Sequence, residues 1–174
     1  MPILMKPYAG PADVRPMQEL IQRQWRFGTR HHIGSFLWER VEQWQPSERW
    51  PTMLWREGET VLAWGWIYEH DPACLYLEFD RENPALLGEV LDWFESAATS
   101  ARLSIPIHSS RADLIAALEA RGYVRQGDDV PFGIMHRRAL DDLPPLHLPE
   151  GYRARSMAEG LDIERRVLAH RQAW

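Results

Sequence analysis

Residues Thr60 to Tyr68 constrain the fold more than any other stretch, because both parities of this run are apolar. A strand sends alternate side chains to opposite faces. Val61, Ala63, Gly65 and Ile67 are expected on one side, and Leu62, Trp64, Trp66 and Tyr68 on the other. A strand that must be covered on both faces is central, and other elements of the chain have to supply both covers. Glu57-Gly58-Glu59 is a hairpin-length turn, which makes Thr52 to Arg56 the neighbouring strand. His70-Asp71-Pro72 then turns the chain into a third strand, Cys74 to Phe79.

That third strand feeds a helix. Asn83 fits the N-cap and Pro84 the first helical position, and Leu86, Leu87, Val90, Leu91 and Phe94 form one apolar stripe. A strand–helix junction of this kind is where many folds receive phosphates, since first-turn N–H groups and the helix dipole point at the ligand. Here the connector Asp80-Arg81-Glu82-Asn83-Pro84 has no glycine, two acids and a proline that removes one donor.

The remaining elements follow from periodicity and punctuation. Ile3 to Tyr8 reads as a first strand, and Asp13 to Phe27 as an amphipathic helix with Val14, Met17, Leu20, Ile21 and Trp25 on its apolar face. After a loop around Arg30, His31 and His32, Ser35 is expected to cap a second helix that buries Phe36, Leu37, Val41 and Trp44. Leu103 to Ile107 is another strand. Ser110 and Asp113 have capping-box spacing ahead of a helix whose face is Leu114, Ile115, Ala117 and Leu118, stopped at Gly122. Tyr123 to Arg125 and Phe132 to Arg138 read as two last strands. The order predicts a mixed sheet with helices on both faces, an α/β (α+β) chain.

With 174 residues, 45% apolar and 26% charged, the chain suffices for one full core. A net charge of −5 without a Lys or Arg run argues against nucleic acid or a lipid surface as partner. The single cysteine, Cys74, excludes an internal disulfide and suits a reducing cytoplasm. No stretch is long enough to span a bilayer. Residues 141–149 form a proline-rich linker after a domain at 1–140, and residues 150–174 then read as a strand and a helix. At a constant offset of 149 residues Ala9 falls on Ala158, Asp13 on Asp162 and Trp25 on Trp174, so the tail reads as the truncated start of a second copy. Its apolar side needs cover, which makes a homodimer through 150–174 one expectation.

Leu114 to Tyr123, a helix ending in glycine and an aromatic, and Arg125-Gln126-Gly127 ahead of a strand, resemble the GCN5-related N-acetyltransferase (GNAT) family, specifically the N-terminal half of a tandem-domain member. The resemblance covers residues 1–140 in element order. It implies a twisted, mostly antiparallel sheet flanked by helices, with acetyl-CoA held between two diverging central strands and its diphosphate at the next helix N-terminus. It further implies acetyl transfer to an amine of a small molecule or peptide. On this pattern Leu77, Phe79, Arg81 and Asn83 fall at the cofactor, Glu78 at the carboxylate base, and Arg30, His31 and His32 on the substrate side. The sequence departs from the pattern twice. The family's glycine-bearing diphosphate motif is replaced by Arg81-Glu82-Asn83-Pro84-Ala85-Leu86-Leu87-Gly88, and the position of the tyrosine acid is Leu118. Two readings therefore stand: an acetyl-CoA-dependent enzyme, and a non-catalytic domain of the same fold serving as scaffold or ligand-binding partner.

Other groups have simpler readings. Glu78 either gains a raised pKa from apolar neighbours or lies at an open strand end against solvent or an arginine. His31-His32 and Glu69-His70-Asp71 carry metal-ligand chemistry, but adjacent side chains on extended chain diverge, so surface loops are expected and no metal. The tryptophans at 38, 44, 50, 55, 64, 66 and 93 supply either a ligand cage or core. His108 with Ser109 and Ser110 lacks the nucleophile turn of a hydrolase.

Overall fold

A computed structural model describes residues 2–26, 29–42, 50–127, 147–153 and 163–173 and isolated positions between 133 and 145, with the backbone alone at 40–42. Strands β1 (Leu4–Pro7), β2 (Thr52–Glu57), β3 (Thr60–Tyr68), β4 (Ala73–Phe79) and β5 (Leu103–Ser104) form one sheet in that spatial order. The first three pairings are antiparallel and β4–β5 is parallel. β3 is the middle strand, and it is buried from Val61 to Ile67.

Helices cover both faces. On one, Met17, Leu20 and Ile21 of α1 (Val14–Gln24) and Phe36 of α2 (Ile33–Glu42) pack with Trp64 and Trp66. On the other, the full stripe Leu86, Leu87, Val90, Leu91 and Phe94 of α3 (Ala85–Ala97) is buried with Trp55, Ile67, Leu75 and Phe79, joined by Leu114 and Leu118 of α4 (Ala112–Glu119). Gly65 sets how closely α3 lies on β3. A Cβ there would stand 2.9 Å from Trp93 Cζ3, 3.2 Å from Leu75 Cδ1 and 3.3 Å from Val90 Cγ1. No side chain larger than hydrogen fits without repacking.

Strict alternation along β3 fails at one place. Val61 packs with Trp64 and Trp66, while Leu62 joins Ala63 and Ile67. The cause is a register shift between Trp55 and Arg56. Trp55 faces Ala63 but Arg56 faces Val61, so Leu62 is an extra residue and the two ends of the strand have opposite parity. The hairpin itself forms as expected, with Glu57 opposite Thr60 and Gly58 at φ 58.

Helix starts differ from the sequence expectation because side chains bond elsewhere. α2 begins at Ile33, before Ser35. Gly34 N–H donates to His32 Nδ1 (3.1 Å) and His32 N–H to Ser35 Oγ (2.9 Å), a reciprocal cap with His32 outside and Ser35 inside. Leu37, expected inside, is 42% exposed. Asp13 stands before α1 and accepts from Ala9 N–H (2.7 Å) and Arg56 Nη1 (2.7 Å). α3 starts at Ala85, with Pro84 and not Asn83 at the cap. The Ser110–Asp113 box does not form, since Asp113 binds Arg111 and Ser110 binds His108. Tyr123 to Arg125 is irregular, not a strand. The expected strands at 132–138 and 152–157, like Val41 and Trp44 in their buried roles, lie largely outside the described residues.

The chain divides into two units, Met1–Phe132 and Gly133–Trp174. The second contains α5 (Ile163–Ala173), none of whose residues is buried; Ile163, Val167 and Leu168 are all exposed. At the offset of 149, Val14 falls on Ile163, and the buried trio Met17, Leu20 and Ile21 falls on Arg166, Ala169 and His170. Among the described residues no helix is long and apolar enough to cross a membrane.

Candidate functional site

β4 and β5 pair only through Ala73–Leu103 and Cys74–Ser104. Beyond those pairs a notch separates the chain after β5 from the remainder of β4. One wall is Leu75, Leu77 and Glu78, the other Ile105 to His108, with Arg111, Leu114 and Arg30 completing the lining. Counting its open mouth the notch holds about 380 Å³ of atom-free space, but the room for water-sized groups is about 20 Å³. That is the space of roughly one water molecule.

Glu78 is the chemically distinctive group in it. Cross-strand from Trp64 and only 3% exposed, it has an Oε1 atom with no hydrogen-bond partner among the described residues. Burial pushes its carboxyl up to about 7, against the smaller opposing pull of Arg111, the Phe79 N–H and Arg26. A carboxyl poised there can hold or accept a proton near neutral pH. Glu78 is buried away from solvent, and Arg111 lines the same notch.

Two arginines and a histidine line the same notch. Arg111, 9% exposed, binds Asp113 through Nε (3.1 Å) and Nη2 (3.2 Å) and lies 5.4 Å over the Phe79 ring. Arg30 stands 4.6 Å over Tyr76, with Nη2 3.9 Å from Glu39. His108 Nδ1 is 2.8 Å from Ser110 Oγ.

Several N–H groups of the connector between β4 and α3 and of the start of α3 are already bonded. Asp80 N–H goes to Leu62 O (2.7 Å), Asn83 N–H to Asp80 O (2.9 Å), Leu86 N–H to Asn83 O (3.0 Å) and Leu87 N–H to Pro84 O (3.2 Å). The Asp80 carboxylate takes Glu82 N–H (3.1 Å) and Gln24 Nε2 (2.9 Å), so an anion already sits where a diphosphate would approach. Arg81 offers the opposite charge, but its Nε and Nη2, which have no hydrogen-bond partner among the described residues, are covered from solvent. In this arrangement the Asp80 carboxylate and the engaged Glu82, Asn83, Leu86 and Leu87 N–H groups stand where a diphosphate would bind, and the notch is too narrow for a coenzyme arm.

The other sequence candidates are dispersed. Leu77 lines the notch, whereas Phe79 is 3% exposed in the core with α3. Of the substrate-side trio only Arg30 reaches the notch. His31, expected in a surface loop, is 1% exposed and packs edge-on against Trp64 (5.1 Å) and Trp66 (5.8 Å). Burial first and Arg30 second lower its pKa to about 3, so it is neutral. His32 is the exposed cap of α2. Glu69 and Asp71 bind Thr99 and Arg102. Trp55, Trp64 and Trp66 are fully buried core, while Trp25 and Trp38 are exposed. Leu118 is a core residue at 5% exposure. Arg111 and His108 were not among the expected lining residues; a cation three residues before the predicted helix face at Leu114 is the available signal.

No protein-family model matches the chain, and no curated protein matches it in sequence. Solved structures do match. An acetyltransferase of the GNAT family from Streptococcus pneumoniae superposes with a TM-score of 0.52 at 15% identity, over 72% of this chain and 86% of that one. The fold is that of the GNAT acetyltransferases. An aminoglycoside antibiotic 6'-N-acetyltransferase from Acinetobacter haemolyticus matches with a TM-score of 0.50 at 13% identity, over 77% of this chain and 99% of its own. A Vibrio cholerae integron cassette protein reaches 0.51 at 14%, over 78% and 94%. The mixed five-stranded sheet with helices matches that fold.

Proposed function

We propose that residues 1–132 are a non-catalytic, ligand-binding domain of the acetyltransferase fold, the first half of a tandem protein. Acetyl transfer from acetyl-CoA to an amine of a small molecule or peptide, in the cytoplasm, is on this reading the work of another half. The single observation that carries it is the Asp80 carboxylate, which already occupies the Glu82 N–H in the connector. A diphosphate would have to displace that carboxylate and break backbone bonds already made, and the coenzyme arm would have to push β4 away from the chain after β5. The α5 helix, with its apolar side exposed, supports a second domain or a second copy of the chain as its cover.

One observation favours the other reading, an active N-acetyltransferase with Glu78 as base: a buried carboxyl in the notch whose Oε1 has no hydrogen-bond partner among the described residues and whose pKa is raised to about 7. Calorimetric titration with acetyl-CoA and with CoA separates the two. Absence of binding is expected. Micromolar affinity for either overturns the non-catalytic reading and restores the enzyme.

A further inference from the structure

We propose that His31 is an acid-released latch: neutral, it holds the segment from Thr29 through α2 on the aromatic face of β3, and protonated, it lets that segment go. The ring is 1% exposed, and neither Nδ1 nor Nε2 has a hydrogen-bond partner among the described residues. Its walls are aromatic, with the rings of Trp64 at 5.1 Å, Trp66 at 5.8 Å and Tyr76 at 6.1 Å between centroids. An imidazolium there would carry two N–H donors and a charge into a place that has shed its water.

The ionisable groups around the ring do not offset that cost. Arg30, next in the chain, repels a second cation. Glu39 of α2 faces the ring, but its Oε2 is 3.9 Å from Nε2, longer than a hydrogen bond, and Arg30 Nη2 stands 3.9 Å from its other oxygen. From β4 come Tyr76 and Cys74, both kept neutral by burial, which raises their pKa values. β3 presents Trp64 and Trp66, α1 meets the segment through the uncharged Gln18, and His32 is turned to the Gly34 N–H. What the latch holds is peripheral. Among the described side chains of α2 Phe36 alone is fully buried, at 5.3 Å from Trp64 and 5.2 Å from Trp66, while Leu37 and Trp38 are exposed. An element so lightly anchored opens at lower cost than the sheet beneath it. Opening solvates His31, whose proton binds near 6.5 in water but near 3 in the seated ring, so the hold is full above 6.5 and weakens as pH falls below it. Acid would then bare Trp64 and Trp66 on the face away from α3.

The test is amide hydrogen exchange of the full chain, corrected for the intrinsic rate at each pH, with α2 read against α3. From about pH 7.5 to about pH 5 the opening of α2 is expected to rise about thirtyfold, with no comparable rise in α3. His31→Phe and His31→Gln cannot titrate and are expected to abolish the rise. Thermal unfolding shows which of the two folds, and the comparison of α2 with α3 in the parent chain stands without either. Unchanged or slower exchange of α2 in acid would mean that Glu39 or the tryptophan faces hold the imidazolium, and it overturns the proposal. So does a rise shared by α3, or one that persists in a folded variant.

Discussion

Replacing Glu78 by glutamine should change how stability depends on pH more than it changes stability itself. A carboxyl raised from 4.5 to about 7 holds its proton more tightly in the folded chain than in the unfolded one. Below pH 4.5 both states are protonated and the group costs nothing. As pH rises toward 7 the unfolded chain releases its proton first, so folding loses stability, and above 7 the loss is complete. At about 1.4 kcal/mol per pH unit the full loss is about 3 kcal/mol. Glutamine keeps the shape and cannot titrate. The stability of Glu78→Gln relative to the parent chain should therefore rise by about 3 kcal/mol between pH 4.5 and about 8. Urea unfolding of both chains across that range measures it, with the slope checked for constancy. A difference that stays flat with pH would mean that Glu78 is solvated like a surface carboxyl, and the account of the notch would fail with it.

Gly65→Ala should destabilise by about 1–3 kcal/mol in urea, less about 0.4–1 kcal/mol from stiffening the unfolded chain. Equal stability would place α3 further from β3 than the 2.9 Å contact allows. Arg56→Ala leaves the Asp13 carboxylate, 11% exposed, without its guanidinium and should cost about 3–5 kcal/mol. A loss under about 1 kcal/mol would mark the pair as solvated. Light scattering should find the full chain dimeric, and a chain ending before residue 150 monomeric. A monomeric full chain would leave α5 without the proposed cover from a second copy.

The layered fold was legible because burial on both faces leaves a two-parity apolar run in β3, and burial on one face leaves a stripe at helical spacing in α3. Caps were not, since Asp113 and Ser110 each had a nearby alternative partner whose position depends on how the chain turns after β5. His31 is expected in a surface loop because it and His32 diverge on extended chain, yet it packs against Trp64 and Trp66. Glu78 was legible as a strand carboxylate among apolar neighbours. Its surroundings were not, because Arg30, His108 and Arg111 are distant in sequence and reach the notch only through tertiary folding.

The extra residue in β3 has an effect at the far end of the next strand. Toward β2 the ladder skips Leu62, yet toward β4 the same Leu62 carbonyl receives the Asp80 N–H that opens the connector. β3 is thus counted differently by its two neighbours. Deleting Leu62 would mend the ladder on one flank and bring Val61 opposite Asp80 on the other. The lip of the phosphate-side turn and the hairpin two strands away cannot drift independently.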